Sequence, residues 1–376
     1  MEKISNVCVV LPSLDPDEKL LAVVDGLLEY GFTDIILIND GSKQENLHYF
    51  ETAATHPEVT LLHHEVNRGK GAALKTAFNY VLENRPNALG VVTVDGDNQH
   101  HPEDTRRCTE HMLQTGRQVL GVRDFSQSDV PARSRSGNRI TSVVFKLFVG
   151  MTISDTQTGL RAIPRKDMEV FVTIKGERFE FETNMLLAMK EYGIPFDEVK
   201  IRTVYIEENK SSHFRAVRDS WRIYKLILAH FFKFTASSLF SAVVDEGLFL
   251  LLSATLHGHM DGLALNTVSV VAARVISSIV NFYMNMKLVF HSHEKTGKAF
   301  FKYFALAVPQ LIAQLLLTSG LLALLNIGEH QTGLRGVVYA VVMTVLFFAS
   351  FTIQQRWVFT SKKKDEKSAE VKEMAE

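Results

Sequence analysis

Cysteine is scarce in this sequence of 376 residues, and neither sign of charge prevails. Two cysteines, Cys8 and Cys108, are too few for a disulfide framework, and no thiolate metal motif surrounds either of them. Lys and Arg together number 41, against 42 for Asp and Glu. A surface that binds nucleic acid needs a clear cationic excess, so this balance argues against a nucleic-acid partner.

A signal peptide is also missing from the start of the chain. Residues 1–6 are polar, and the first apolar run, Val7–Leu11, is too short for the hydrophobic region of a signal. We therefore expect the polar first half, which ends near His230, to stay on the side of the membrane where it is synthesised. From there to Thr360 the composition is strongly apolar.

Four apolar stretches in the second half are each long enough to cross a membrane. The first has 23 residues. As a helix it would extend about 35 Å, against about 30 Å for the hydrocarbon core of a bilayer. The sequence therefore predicts four spans, at Phe234–Leu256, Ala264–Leu288, Phe300–Leu325 and Leu334–Phe359.

Basic residues are distributed unevenly over the links between these stretches. The link His257–Gly262 has neither Lys nor Arg, whereas the next link and the C-terminal end are rich in both. Because cytoplasmic loops carry the excess of basic residues, we expect both termini in the cytoplasm and a multi-pass protein of the cell (plasma) membrane. The residues concerned are Lys287, Lys295, Lys298, Lys302, Arg356, Lys362, Lys363, Lys364 and Lys367.

The apolar half repeats itself with an offset of 69 residues. Phe231–Phe234 recurs as Phe300–Tyr303, and Lys287–Phe290 recurs as Arg356–Phe359. Equal spacing at both ends indicates one two-helix hairpin used twice. Because each hairpin has an even number of spans, the two copies run in the same direction.

Short β-branched runs alternate with helical patterns in the first half. This alternation predicts a mostly parallel sheet, covered on both faces by helices and binding ligands beyond the carboxyl ends of its strands. The predicted strands are Val7–Leu11, Asp34–Ile38, Thr60–Leu62, Gly90–Val94 and Val119–Val122. The predicted helices are Asp17–Tyr30, Glu45–Thr55, Gly69–Glu83 and Pro102–Thr115.

Two carboxylates follow the fourth strand, in an Asp-x-Asp pattern. Asp95 and Asp97 flank Gly96, which allows close approach of the backbone, and carboxylate oxygens suit Mg²⁺ or Mn²⁺ shared with substrate phosphates. The same residues are ordinary in turns. The strand before them and the helix after them favour the metal site. Gly69-Lys70-Gly71 lacks the Walker spacing and does not indicate an ATPase.

Taken in order, the motifs resemble a known family. The front half is similar to family-2 glycosyltransferases of GT-A fold, most of all the dolichyl- or polyprenyl-phosphate sugar synthases. The motifs are Val9–Pro12, Ile38–Ser42, Asn67–Gly71, Asp95–Gln99 and Asp155–Arg161. The apolar half resembles the GtrA family through Asn281-Phe282 and Lys287–Phe290.

The resemblance implies a role for each motif residue. A nucleotide-sugar, GDP- or UDP-linked, is expected to contact Pro12, Asp40, Asp95, Gly96 and Asp97, with Asp40 at the nucleobase. The divalent cation, Mg²⁺ or Mn²⁺, is expected on Asp95, Asp97 and Gln99. Arg123, Arg133 and Arg135 are expected to bind the acceptor phosphate, and Arg123 and Arg133 count with Asp95 and Asp97 as catalytic.

Charge determines the expected mechanism. The leaving group of a nucleotide-sugar is a diphosphate, and a bound cation takes up charge as the anomeric bond breaks. A phosphate monoester, with a second pKa of about 6, is mostly dianionic in the cytoplasm and needs no strong general base. Attack opposite the leaving group would invert the anomeric centre.

Two further patterns concern the membrane. An apolar stripe preceded by arginines indicates an interfacial helix, or equally a helix packed on the sheet, at Ile140, Val143, Val144, Leu147, Phe148 and Met151. In the first two spans, Asp245 and Glu246 lie at a depth similar to that of Arg274, which predicts an ion pair across the first hairpin.

These observations lead to one expected architecture. We expect an α/β domain of GT-A type, Rossmann-like with a mostly parallel sheet, followed by an all-α transmembrane domain of four helices in two hairpins. The expected parts are a cytoplasmic glycosyltransferase domain at 1–212, a juxtamembrane amphipathic helix at 213–233, a GtrA-like domain at 234–360 and a disordered charged tail at 361–376.

The expected activity is that of a hexosyltransferase. It would transfer one sugar from a nucleotide-sugar to polyprenyl or dolichyl phosphate at the cytoplasmic face, as a dolichyl-phosphate mannose synthase does, with inversion and with a metal ion. Two alternatives remain open at this point, namely a processive polysaccharide synthase and a flippase or scaffold acting through the GtrA-like half. Membrane lipid is an expected partner, and the sequence allows a homo-oligomer.

Overall fold

A computed structural model describes residues 4–127, 130, 132–202, 216–259, 262–290, 292, 294–328 and 330–359, with side chains in the fifth helix from residue 134. The chain divides into two compact units, Met1–Leu226 and Ile227–Glu376. The predicted boundaries at 212, 233 and 360 stay predictions. The predicted disordered tail, 361–376, lies outside the described residues.

The first unit contains a seven-stranded sheet in the order β3-β2-β1-β4-β6-β5-β7. All of its pairings are parallel except those of β6, which runs antiparallel to β4 and β5. The predicted mostly parallel α/β fold is therefore confirmed. The strands are β1 Val7–Ser13, β2 Ile35–Asp40, β3 Val59–His64, β4 Gly90–Thr93, β5 Gln118–Arg123, β6 Arg161–Pro164 and β7 Phe196–Ile201.

In the described part of the chain, seven α-helices precede α8 and cover or flank this sheet. They are α1 Lys19–Glu29, α2 Leu47–Ala53, α3 Lys70–Asn84, α4 Pro102–Thr115, α5 Ala132–Val144, α6 Arg165–Phe171 and α7 Glu180–Tyr192. One turn of π-helix, Phe145–Val149, continues α5. The bounds of α4 coincide with the prediction, because residues typical of helix ends mark both of its termini. Pro102 occupies the first turn, His101 Nδ1 accepts a hydrogen bond from the Glu103 N–H at 3.2 Å, and Gly116 ends the helix with φ +64°.

The central strands are buried on both faces, as the continuous apolar runs predict. On one face, Val7 and Val9 in β1 and Ile35 in β2 are fully buried, and on the other face Val10 in β1 and Ile36 in β2 are fully buried. Helices α1 and α2 contribute to the same core. This double cover leaves the carboxyl ends of the strands as the polar edge of the sheet.

Strand β6 was not predicted. It has only four residues, begins with an arginine and ends with a proline, and so carries neither the length nor the composition of a strand. It forms because β4 and β5 lie on either side of it and pair with it. Its position brings the preceding segment, Asp155–Leu160, against the end of β4, where Thr93 Oγ1 donates to the Gly159 carbonyl at 2.6 Å.

The second unit consists of apolar helices. The structure gives α8 Ala216–Leu256, α9 Gly262–Met284, α10 Thr296–Leu324 and α11 Thr332–Ile353, and a π-helix follows α9 at Asn285–Val289 and α11 at Gln354–Val358. Four segments are long and apolar enough to cross a membrane, at Phe231–Leu256, Gly262–Val289, Thr296–Leu324 and Thr332–Val358. The predicted transmembrane half is therefore confirmed.

The internal repeat is visible in side-chain contacts as well as in helix bounds. The two π-helices are 69 residues apart, and Asn285 Nδ2 in the first donates to Gln354 Oε1 in the second at 3.1 Å. Asn285 and Gln354 occupy equivalent positions in the two hairpins. The repeat inferred from sequence thus corresponds to two hairpins that meet through equivalent residues.

The predicted ion pair across the first hairpin is confirmed for one of the two acids. Arg274 Nη2 lies 3.1 Å from Asp245 Oδ2, and Ser277 Oγ donates to Asp245 Oδ1 at 2.8 Å. Among the described residues no hydrogen bond or ion pair reaches Glu246. The pair satisfies Asp245 inside a segment in which an unpaired charge would be costly.

Asp167, in the first turn of α6, provides a test of the packing of the first unit. Its carboxyl is buried, Oδ2 has no hydrogen-bond partner among the described residues, and burial raises its pKa to about 6. Because the pKa of Asp167 is higher in the folded state than its unfolded value of 3.8, the protonated carboxyl favours the folded state. This contribution to stability is fully present below pH 3.8 and is lost as the pH rises through about 6.

We therefore expect Asp167→Asn to stabilise the protein by about 2 kcal/mol at pH 8. The gain should shrink towards pH 5, where the parent carboxyl takes up its proton. Thermal unfolding of the full chain in detergent at pH 5 and pH 8 measures this. Glu29→Gln, at an exposed carboxyl, serves as the control. A gain independent of pH would contradict the assignment.

Candidate active site

The polar edge of the sheet brings the Asp-x-Asp motif next to the end of β1. Asp95 and Asp97 follow β4, and the chain turns at Asn98 with φ +60°. A Cβ added to Gly96 would lie 3.2 Å from Ser13 Oγ, tighter than ordinary packing. Glycine at this position therefore lets the carboxylate loop lie directly against β1.

Lys70, the first residue of α3, is the central cation of this site. Its Nζ lies 2.7 Å from Asp95 Oδ1 and 3.0 Å from Glu182 Oε1, and His100 Nε2 lies 3.4 Å from Asp95 Oδ2. Burial alone would lower the pKa of Lys70, but Asp95 and Glu182 raise it above its usual value. Lys70 is therefore charged at neutral pH.

The two carboxyls of the motif have opposite pKa shifts. Burial would raise the pKa of Asp95, but Lys70 and His100 outweigh burial and hold that pKa well below its usual range. The pKa of Asp97 is raised, first by burial and then by the neighbouring charge of Asp95. Two acids that repel each other in this way gain stability from an additional cation between them.

The donor set fits a hard divalent cation. Asp95, Asp97 and Gln99 offer carboxylate and amide oxygens, the ligands that Mg²⁺ and Mn²⁺ take together with substrate phosphates. Within the described ranges, no group of three or more His, Cys, Asp and Glu side chains could hold a metal ion.

Gly159 forms the wall behind Asp95. A Cβ added to Gly159 would collide with the Asp95 carboxylate. The segment around Gly159 is fixed by the bond from Thr93 and by Thr158 Oγ1, which donates to the Gly121 carbonyl at 2.5 Å. Gly159 therefore belongs to the site, although it has no side chain to contribute.

Asp40, at the end of β2, is almost fully buried. Its Oδ1 accepts from the Arg68 N–H at 3.0 Å and lies 2.7 Å from His64 Nδ1, and its Oδ2 accepts from the Gly69 N–H at 2.7 Å. These contacts fix the loop that leads to Lys70. A nucleobase contact by Asp40 stays a prediction, and the observed contacts give the residue a positioning role.

Pro12 lies in the same polar edge. It is half-buried near the end of β1, opposite Ile38 of β2. The following turn is fixed by Asp15, whose N–H donates to Ser42 Oγ at 2.8 Å and whose Oδ1 accepts from the Lys43 N–H at 2.8 Å. The predicted nucleotide contacts at Pro12, Asp40 and the Asp-x-Asp loop therefore come from adjacent strands.

Arg123, at the end of β5, makes a two-pronged contact with Asp155. Its Nε donates to Oδ2 at 2.7 Å and its Nη2 donates to Oδ1 at 3.2 Å, and Asp155 is fully buried. The guanidinium also lies 5.1 Å from the centre of the Phe125 ring. Most of the charge of Arg123 is thus balanced within the protein, and a contact with acceptor phosphate stays a prediction.

The other two predicted arginines lie at the start of α5. Arg133 lies within this helix, but its side chain is outside the described part of the chain. Arg135 is exposed, and its Nη2 donates to the carbonyls of Gln127 at 2.8 Å and Val130 at 3.3 Å. Arg135 therefore braces the loop before α5 while part of its guanidinium still faces outward.

Helix α5 presents apolar side chains outward. Ile140, Val143 and Leu147 are 55%, 48% and 48% exposed, whereas Phe145 and Val149, near its C-terminal end, are buried. Of the other predicted stripe residues, Val144 and Phe148 are half-buried and Met151 is buried, so only part of the stripe faces outward. Thr141 Oγ1, on the same helix, lies 3.1 Å from Tyr224 Oη of α8.

Lys70 and Glu182 were not assigned to the site from sequence. Gly69-Lys70-Gly71 was noted in the sequence only as lacking the Walker spacing, and Glu182 lies in none of the motifs that the sequence analysis used. Their pairing depends on α7 lying beside α3, which a Cβ on Gly71 would prevent, because it would lie 2.5 Å from Phe181 Cβ.

Comparison with known proteins agrees with this geometry. Residues 8–176 match the family model described as Glycosyl transferase family 2, and residues 233–359 match the one described as GtrA/DPMS, transmembrane domain. An uncharacterized protein of Methanocaldococcus jannaschii is 26% identical over 60% of this chain and 93% of its own length.

Two further relatives carry descriptive names. The UDP-N-acetylglucosamine--dolichyl-phosphate N-acetylglucosaminyltransferase of Methanococcus voltae is 25% identical over 54% of this chain and 86% of its own length. The undecaprenyl-phosphate 4-deoxy-4-formamido-L-arabinose transferase of Yersinia pestis is 27% identical over 46% of this chain and 52% of its own length.

Similar solved structures include a mannosyl-3-phosphoglycerate synthase from Rubrobacter xylanophilus, with a TM-score of 0.48 and 17% identity over 59% of this chain and 72% of that one. A mannosyltransferase from Pyrobaculum calidifontis in complex with GDP-Man and Mn²⁺ has a TM-score of 0.39 and 14% identity over 94% of this chain and 87% of that one. On the two family matches, the chain combines a glycosyl transferase family 2 domain at residues 8–176 with a GtrA/DPMS transmembrane domain at residues 233–359, and is a membrane-bound glycosyltransferase.

Proposed function

We propose that the protein transfers one sugar from a GDP- or UDP-sugar to polyprenyl or dolichyl phosphate at the cytoplasmic face of the plasma membrane. The reaction inverts the anomeric centre and requires Mg²⁺ or Mn²⁺. The observation that carries this proposal is the half-buried pair Asp95 and Asp97, with the ammonium of Lys70 2.7 Å from Asp95. Such a site suits a substrate that brings several phosphate charges.

The donor half of the proposal follows from charge. Asp95, Asp97 and Gln99 would hold the cation, which when bound neutralises the diphosphate as it leaves. Lys70 supplies a second positive charge at the same place and lies on a loop that Asp40 fixes. Binding and orientation of the diphosphate would thus be shared between the Asp95–Gln99 loop and the start of α3.

The acceptor half follows from the names of relatives and from the surface of α5. The two relatives with descriptive names act on dolichyl phosphate and undecaprenyl phosphate. On this chain the exposed residues Ile140, Val143 and Leu147 follow the exposed Arg135, an arrangement suited to the headgroup level of a bilayer. A phosphate monoester there is mostly dianionic and attacks without a general base.

A processive synthase has weaker support. If Arg356 and Trp357 ended its Gln-x-x-Arg-Trp motif, the glutamine would fall at Ile353, so the motif is incomplete. Arg356 and Trp357 belong instead to the second π-helix of the repeat. In that helix, Gln354 Oε1 accepts a hydrogen bond from Asn285 Nδ2, and the Trp357 carbonyl accepts one from Lys302 Nζ at 3.0 Å. The segment thus has a packing role in the transmembrane domain.

A panel of GDP- and UDP-sugars tests the proposed function. The full chain in detergent is given a short polyprenyl phosphate with Mn²⁺, Mg²⁺ or EDTA, and the lipid product is weighed by mass spectrometry. We expect the mass of a single sugar on the lipid phosphate, no product in EDTA, and an anomeric configuration opposite to that of the donor. A ladder of masses, full activity in EDTA, or retention would each contradict one part of the proposal.

A further inference from the structure

A groove lies between α8 and the end of α9, within the second unit. Its volume is about 600 Å³, within the range of about 300–1,000 Å³ found for ligand sites. It is at the end of the spans where basic residues gather, the end that we expect in the cytoplasm. Its lining is apolar apart from one lysine and one serine, and consists of Lys233, Ala236, Ser237, Phe240, Met284, Leu288 and Val289.

The two polar side chains of the groove have no partner in the described part of the chain. Ser237 is 2% exposed and its hydroxyl makes no hydrogen bond. Lys233 takes part in no described hydrogen bond or ion pair, although it lies within α8, near the start of the first membrane-spanning segment. A buried hydroxyl without a partner is uncommon, because it loses its hydrogen bond to water and gains none in return.

The second hairpin supplies an internal comparison, since each groove residue has an equivalent 69 positions later. Lys233 corresponds to Lys302, Ser237 to Leu306 and Leu288 to Trp357. In the second hairpin, Lys302 Nζ donates to the Trp357 carbonyl at 3.0 Å, and Leu306 packs on the aromatic cluster around Phe282. The larger side chains thus replace the serine and the leucine that line the groove.

The two equivalent lysines, Lys302 and Lys233, also differ in whether their charge is neutralised. Lys302 Nζ also lies 3.3 Å from Glu294 Oε2, so its charge is balanced within the protein. In the first hairpin, no acidic side chain pairs with Lys233 among the described residues. The first hairpin therefore keeps a lysine charge available for an anion, and the second does not.

We propose that this groove binds the phosphate and the adjoining isoprenoid carbons of a polyprenyl phosphate. Lys233 would pair with the phosphate, Ser237 would supply a hydroxyl, and Phe240 and Leu288 would contact the apolar chain. A monoester phosphate carries up to two negative charges, against one for a phospholipid diester, so Lys233 favours the monoester. This inference rests on the proposed function, and it makes the transmembrane domain a substrate-binding element as well as an anchor.

Photo-crosslinking of the full chain in phosphatidylcholine nanodiscs tests the proposal. The probe is a short polyprenyl phosphate with a diazirine near its phosphate, and the labelled peptides are identified by mass spectrometry. We expect labelling within 233–240 and 284–289, with competition by unlabelled polyprenyl phosphate but not by polyprenol or phosphatidylglycerol. Absence of labelling from both of these segments would overturn the proposal. Equal competition by phosphatidylglycerol would also overturn it, because the groove would then hold ordinary membrane lipid.

Two variants with a matched control make the test specific. Leu288→Trp places in the first hairpin the residue that the second one has, and should abolish the labelling of the groove. Leu316→Trp, on an exposed face of α10, adds the same bulk elsewhere and should leave labelling unchanged. Lys233→Met should weaken competition by polyprenyl phosphate about tenfold or more, the value of one charge-assisted hydrogen bond. Unchanged labelling of Leu288→Trp would overturn the proposal.

A catalytic variant separates this inference from the proposed function. Asp95→Asn should lose sugar transfer and keep full labelling of the groove, because Asp95 belongs to the donor site. If the parent protein transfers sugar to polyprenyl phosphate while the groove is never labelled, the groove proposal fails alone. If the groove is labelled and no donor yields product, the proposed function fails alone.

Discussion

Replacing Asp95 with Asn is expected to lower sugar transfer about a thousandfold, which corresponds to about 4 kcal/mol of transition-state stabilisation. The amide is nearly the same size as the carboxylate but carries no charge, so it binds a divalent cation poorly. Lys70 keeps its contact with Glu182 at 3.0 Å, and the local packing should survive. Transfer rates at saturating donor, together with Mn²⁺ binding by calorimetry, measure the effect.

Asp25→Asn is the matched control for this variant. Asp25 is an exposed carboxyl of α1, and its Oδ1 lies 3.4 Å from His56 Nε2. None of its described contacts involves a residue at the polar edge of the sheet. It should transfer sugar at the parental rate and bind Mn²⁺ as the parent does. If the Asp95 and Asp97 double variant to Asn still glycosylated lipid at the parental rate in EDTA, the metal assignment would be wrong.

Gly159→Ala is expected to reduce transfer about a hundredfold, the loss that a displacement of about 1 Å can cause in an active site. The added methyl group would collide with the Asp95 carboxylate and push it away from Lys70. No change of charge is involved, so the effect isolates the geometry of the site. Mn²⁺ affinity should fall together with the rate, while the unfolding temperature should change little.

The control for this variant is Gly297→Ala, at a glycine with open space around its Cβ position. It makes the same chemical change and should affect neither rate nor metal affinity. A Gly159→Ala protein with parental Mn²⁺ affinity would show that the wall behind Asp95 does not position it. A variant that fails to bind donor because it has unfolded would be revealed by its melting curve.

Local signals in the sequence were sufficient to predict the helices, strands and membrane spans in which they occur. Helix α4 begins at Pro102 and ends before Gly116, because a proline and a glycine mark its two ends. The buried strands and the four spans are continuous apolar runs, and the repeat of 69 residues is a comparison of the chain with itself. In each case a short stretch of sequence determines the outcome.

The rest of the site depends on contacts between distant segments. Lys70 meets Asp95 and Glu182 only because α3, β4 and α7 come together, and β6 exists only because β4 and β5 pair with it. Arg123 was expected, from the resemblance, to bind the acceptor phosphate, and its partner Asp155, which lies 32 residues away, was not foreseen. Neither the hydrophobic periodicity nor the composition of the sequence indicates which distant residues pair.

The contact between Asn285 and Gln354 has a consequence for how the two hairpins associate. Residues at equivalent positions that touch each other lie on the local rotation axis relating the copies, as in a symmetric dimer. A charged side chain at that position would face a charge of its own sign, whereas an amide both donates and accepts and can therefore bond to its counterpart. The two hairpins thus associate within one chain as the subunits of a symmetric dimer do. They are joined by amide side chains, which can hydrogen-bond to one another.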